Sequence, residues 1–156
     1  MHAMDYSWSQ GDFEISTDPA RIDIAVVYQF LASSYWAKGV PIEIVQRSLQ
    51  NSLCFGMYHA KAQVGFARVI TDRATFAYLA DVFVLPAFRG RGLSKWLMEC
   101  IFAHVELQGL RRWSLATRDA HGLYQQFGFR QLAEPERWME RHDPGIYARK
   151  AGPGVP

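Results

Sequence analysis

Apolar residues recur along this chain with two different periods, and the changes of period mark its elements. Phe13-Glu14-Ile15-Ser16-Thr17 alternates, which is the two-residue period of a half-buried strand. Asp18 followed by Pro19 supplies a helix start, with proline at the first helical position. Ile22, Val26, Phe30 and Leu31 continue at helical spacing, and the helix is expected to end near Lys38-Gly39. Pro41 opens a second helix carrying Ile44, Val45 and Leu49. Residues 53–60, 63–71 and 75–85 are rich in β-branched and aromatic side chains and are joined by short turns. Together they predict an antiparallel meander.

The pattern then becomes helical again. Residues 92–107 read as a helix closed by Gly109, and residues 113–117 as a strand. A strand reached through a helical crossover is expected to pair parallel to the one ending at Leu85. Residues 120–127 read as a helix with Gly128 as its C-cap, and residues 129–132 as the start of a last strand. The segment 134–149 is aromatic and charged and receives no element. The fold class predicted is α+β in an α/β/α layering, with a mixed sheet of about six or seven strands flanked by about four helices. Its antiparallel meander turns parallel at the strand preceding Arg89. Neighbouring strands can splay at such a junction and leave a cleft.

Composition narrows the class of protein. The chain has 156 residues, 49% of them hydrophobic and 21% charged, with a formal net charge of +2. One domain over residues 1–150 and a loose tail over 151–156 are expected. The mild charge argues against nucleic acid as a partner. No apolar run approaches the roughly 20 residues that span a bilayer, so no membrane partner is expected. The first residues lack the apolar region of a signal peptide, and the expected location is cytoplasmic. Cys54 and Cys100 sit in separate apolar segments and read as free thiols rather than a disulfide. The histidines have no metal-ligand spacing, so no metal is expected.

The stretch Arg89-Gly90-Arg91-Gly92-Leu93-Ser94 lies between the long strand and the following helix. The first N–H groups of a helix have no partner within it and carry the positive end of its dipole. Glycines let a ligand approach that backbone, and two arginines add charge. Such a loop is a receptor for a phosphate or pyrophosphate. It lacks the lysine and serine or threonine of a Walker loop, and no dinucleotide fingerprint is present.

These residues resemble the GNAT superfamily of acyl-CoA-dependent N-acyltransferases. The family's pyrophosphate loop reads Arg/Gln-x-x-Gly-x-Gly/Ala, and Arg89, Gly92 and Ser94 fill those places. A later family motif, Asn-x-x-Ala-x-x-Phe-Tyr-x-x-x-Gly-Phe, is filled by Thr117, Ala120, Leu123, Tyr124, Gly128 and Phe129. Ser94 replaces the usual final glycine or alanine but is itself small, and Thr117 replaces the frequent asparagine.

The resemblance implies an N-acetyltransferase that moves acetyl from acetyl-CoA to a primary amine through a tetrahedral intermediate. It assigns pyrophosphate binding to Arg89, Gly90, Arg91, Gly92, Leu93 and Ser94, with Thr117 as a further cofactor contact. It pairs the pantetheine arm with Val82, Phe83 and Val84, a form of strand addition. It makes Tyr124 the general acid for the departing thiolate. A phenol's ordinary pKa near ~10 keeps it protonated at neutral pH. Asp81 interrupts an apolar strand, which marks it as a candidate base or amine anchor, or as half of an ion pair with Arg68 or Arg118. Tyr35 and Trp36 lie between two helices and are candidates for an acceptor pocket or for the core. Lys95 is a candidate phosphate ligand, and His121 reads better as a surface or capping residue than as a base. The acceptor stays open among a protein N-terminus, a lysine, a polyamine, an amino acid and an antibiotic, and homodimerisation stays open too. The alternative on the same fold is a non-catalytic acyl-CoA-binding module.

Overall fold

The computed structural model describes residues 4–150. The tail expected over residues 151–156 lies outside the described residues. The strands are β1 (Ser7–Gln10), β2 (Phe13–Ser16), β3 (Leu53–His59), β4 (Ala62–Thr71), β5 (Phe76–Val84) and β6 (Arg112–Ser114). They form one six-stranded sheet in the order of the sequence. Every pairing is antiparallel except that of β5 with β6. The α-helices are α1 (Ile24–Ser33), α2 (Ile42–Gln50), α3 (Leu93–Ala103), α4 (His121–Gln125) and α5 (Ile146–Lys150). The α+β class and its mixed sheet are as expected.

Two apolar clusters give the α/β/α layering. On one face, Ala77, Leu79 and Val84 of β5 pack with Leu93, Leu97 and Ile101 of α3. On the other, Phe66 and Phe83 pack with Val27 and Leu31 of α1 and Val45 of α2. Both thiols are free and buried, and burial pushes each up to about 12, so neither presents a thiolate at neutral pH.

Several boundaries differ from the pattern. β1 was not anticipated, because only one of its four residues is better than exposed and it shows no buried alternation. The helix expected from Pro19 is a single 3-10 turn, Pro19–Arg21. The α-helix begins at Ile24 because the Asp23 carboxylate accepts from the N–H groups of Ala25 and Val26. The helix expected to reach Leu107 breaks at His104, whose backbone is extended. The strand expected at 129–132 does not form, and β6 ends at Ser114 rather than Thr117.

His104 closes this end of the core. It is 1% exposed and rings of Tyr6 and Phe55 meet it edge-on. Its Nδ1 accepts from the Glu106 N–H, so the neutral ring carries its proton on Nε2, which has no hydrogen-bond partner among the described residues. Burial, helped by the nearby Arg73 and opposed by Glu106, pushes its pKa down. An unfolded chain takes up this proton near the ordinary value of about 6.5, where the folded protein does not. Stability is therefore complete above that pH and falls as pH drops below it toward the folded value. Urea unfolding at about pH 7.5 and about pH 5.5 is expected to show this loss in the wild type and less of it in His104→Phe. Equal pH dependence in both proteins would remove His104 as its cause.

Candidate active site

The site begins with an irregularity in β5. Phe66 pairs with Phe83 and Arg68 with Ala80, so Asp81 and Val82 together oppose the single residue Ala67. This is a β-bulge. Asp81 takes φ +56, the left-handed region that aspartate tolerates better than most non-glycine residues. The bulge shifts the alternation by one. Ala77 and Leu79 face α3 before it, and Val82 and Val84 face α3 after it.

β6 pairs with β5 only over Phe76, Ala77 and Tyr78. Beyond Tyr78 the two strands part, and the β5 edge opposite β4 has no strand partner among the described residues. The gap opens into a cavity of about 860 Å³. Val82, Phe83 and Val84 line one wall, and Thr117, Leu123 and Tyr124 line the other. A second recess of about 220 Å³ adjoins it at Arg89 and Ser94 and is lined further by Gly90, Gly92, Leu93 and Lys95.

The glycine loop is built for its turn. Gly90 has φ +80 and Gly92 φ +73, conformations that cost an L-residue roughly 1–2 kcal/mol. No heavy atom lies within 4 Å of where a Cβ would stand at either, so the space beside the backbone is open. Gly92 caps α3 with no side-chain hydrogen bond, which leaves the first N–H groups facing out of the helix. Arg89 turns back, and its Nε donates to the Val84 carbonyl at 3.0 Å. That bond ties the loop to the end of β5. Arg91 lines neither cavity; its guanidinium lies 5.6 Å from the Phe88 ring centroid.

On the far wall, Tyr124 is 9% exposed and packs against Phe129. Burial, ahead of the neighbouring Tyr35 and Asp119, pushes its phenol up to about 12, so it stays protonated at neutral pH. The Thr117 hydroxyl accepts from the Ala120 N–H at 3.1 Å, which fixes the turn into α4. Thr117 therefore lines the cavity with its hydroxyl already engaged. His121 starts α4 and is exposed, away from the cavity lining.

Asp81 is held from two sides. Its Oδ2 accepts from Arg68 Nε at 2.8 Å and its Oδ1 from Trp36 Nε1 at 2.9 Å. Arg68 also donates to the Ser52 hydroxyl. The ion pair anticipated as one reading of Asp81 is thus formed, and with Arg68 rather than Arg118. Next to Trp36, the Tyr35 hydroxyl accepts from the Arg118 N–H at 3.1 Å, and the Arg118 guanidinium sits 3.9 Å from the Tyr35 ring centroid. The α1–α2 connection is therefore fastened to both walls of the opening. Tyr35 and Trp36 line the cavity from the outside and remain 49% and 42% exposed, so they are not core. Tyr147 of α5 also lines it, a residue with no signal in the sequence pattern. Among the described residues no group of three or more His, Cys, Asp or Glu could hold a metal ion, and no helix is long and apolar enough to cross a membrane.

Comparison with known proteins fits this geometry. Residues 50–131 match the model of the acetyltransferase (GNAT) domain. A protein of Gibberella zeae whose name describes it as a candidate acetyltransferase is 33% identical over 141 residues, 76% of this chain and 78% of its own. The crystal structure of a candidate GNAT-family acetyltransferase from Xanthomonas campestris pv. campestris has 53% identity and a TM-score of 0.85, covering 87% of this chain and 96% of that one. A GNAT-family acetyltransferase of Elizabethkingia anophelis, solved with acetyl-CoA bound, shares the fold at 15% identity and a TM-score of 0.61, covering 84% of this chain and 88% of its own. The chain belongs to the GNAT acetyltransferase family.

Proposed function

We propose that this protein transfers acetyl from acetyl-CoA to a primary amine by direct attack. The observation that carries the reading is the unpaired β5 edge, which runs from the open glycine loop to the buried Tyr124. A pyrophosphate fits the second recess, where the uncapped start of α3 and the backbone of Gly90 and Gly92 offer N–H donors without a Cβ in the way. Lys95 lines the same recess and adds a charge. The amide-bearing arm of the cofactor then lies along Val82, Phe83 and Val84 as an added strand.

The chemistry follows from that placement. The neutral amine nitrogen bonds to the thioester carbonyl carbon, and the carbonyl oxygen becomes an oxyanion that a backbone N–H near Val82 can stabilise. Collapse breaks the C–S bond, and the Tyr124 hydroxyl gives its proton to the departing thiolate. The attacking nitrogen loses its proton to solvent, and solvent returns one to the tyrosine. Both carboxylate oxygens of Asp81 already accept hydrogen bonds, which suits an anchor for the arriving amine better than a base.

Gly92→Trp is expected to weaken acetyl-CoA binding by at least about tenfold in calorimetry, because it strains the loop and fills the recess. Circular dichroism checks that the variant is folded. Wild-type protein that binds no acetyl-CoA would sink the proposal. Binding without thiol release on any amine would favour the non-catalytic acyl-CoA-binding reading instead.

A further inference from the structure

The main cavity does not end where the thioester would lie. On the side of α1 and α2 it is lined by the partly exposed Phe30, Ile44 and Tyr147, over the buried Leu31, Val45 and Phe83. All six belong to the apolar cluster behind the sheet or pack against it. Polar groups at this end are used internally. The Ser48 hydroxyl donates to the Val45 carbonyl, and Arg68 is shared between Asp81 and Ser52. The charged side chains lining the cavity are Arg68, Arg118, Asp81 and Asp119, two of each sign, together with Arg89 of the glycine loop, so no excess of carboxylates faces it.

Such a recess discriminates by chemistry. A polyamine needs several uncompensated carboxylates, and a sugar needs hydrogen-bond partners for each hydroxyl it brings out of water. Burying those groups unpaired is costly. An apolar body loses nothing by entering and gains from leaving water.

Resting on the acetyltransferase reading above, we propose that the acceptor is a primary amine carried on a single apolar or aromatic body. Its amine sits at Asp81, beside the β5 bulge, and its body packs on the apolar lining from Phe30, Ile44 and Tyr147.

Thiol release from acetyl-CoA tests this with phenethylamine, hexylamine, spermidine and an amino sugar as acceptors. The expected kcat/KM for the first two exceeds that for the last two by at least about tenfold. Ile44→Lys and Tyr147→Ala are each expected to raise KM for phenethylamine about tenfold, with acetyl-CoA affinity unchanged by calorimetry. Tyr147 lies on a short terminal helix, so its variant tests the recess should Ile44→Lys fail to fold. Preference for spermidine or the amino sugar, no turnover of any amine by protein that binds acetyl-CoA, or an unchanged KM in a folded variant overturns the assignment. Wild-type protein that binds no acetyl-CoA overturns the acetyltransferase reading first, and this inference with it.

Discussion

Tyr124→Phe is expected to lower kcat by about 10²-fold while leaving acetyl-CoA affinity nearly unchanged. The ring is buried among apolar residues and packs on Phe129, and phenylalanine keeps that packing. What the change removes is the hydroxyl that, in the proposed mechanism, gives its proton to the thiolate. Because burial holds the phenol up at about 12, the wild-type acid stays loaded across the neutral range. The rate is therefore expected not to fall through loss of this proton until pH passes well above the ordinary tyrosine value of about 10. Steady-state kinetics with calorimetry checks the first point, and a pH–rate profile the second. Unchanged kcat in a folded Tyr124→Phe protein would remove Tyr124 as the acid.

Asp81 is expected to give the largest stability effect, and the choice of replacement separates its two roles. Asp81→Asn keeps a residue suited to φ +56 and an acceptor for Trp36, but leaves Arg68 without its counter-charge. Both side chains of that pair are largely buried, at 16% and 10% exposure. Removing one partner of a buried pair costs about 3–5 kcal/mol at the upper limit, and roughly 2 kcal/mol is reasonable for a pair that still touches solvent. Asp81→Val loses the same pair and also forces a β-branched residue into the left-handed region, adding roughly 1–2 kcal/mol. Asp81→Gly loses the pair without that strain. The expected order of stability in urea is wild type, then Asn and Gly, then Val. A valine variant as stable as the glycine one would show that the bulge does not depend on this conformation. Acetyl transfer is expected to fall in all three, because each releases Trp36 or the carboxylate from the mouth of the cleft.

The parts of the site that were legible in sequence are those made by neighbours in the chain. Arg89 to Ser94 form a strand-to-helix loop made by local backbone, and glycines at 90 and 92 announce the conformation they adopt. Tyr124 was legible through the resemblance to the family motif, whose spacing to Gly128 and Phe129 spans one short helix and the turn that closes it. Asp81 was visible as an acid in an apolar strand, and its pairing with Arg68 was one of the readings open to it. The bulge beneath it was not visible, because a bulge is a mismatch between two strands and neither strand's own pattern contains it. Residues 129–132 have the composition of a strand but no ladder to join once β6 stops at Ser114.

The sequence by itself determined the meander, the parallel pairing that follows the glycine loop and the helix between them. Each depends on hydrophobic period and turn chemistry within a few residues. Only the tertiary structure decided how wide the cleft opens, which side chains hold Asp81, and which residues line its outer wall. Trp36 and Asp81 are separated by 45 positions, Tyr35 and Arg118 by 83, and both contacts close across the gap between β5 and β6. Such contacts depend on how packed layers bring distant segments together, and no periodicity along the chain records that.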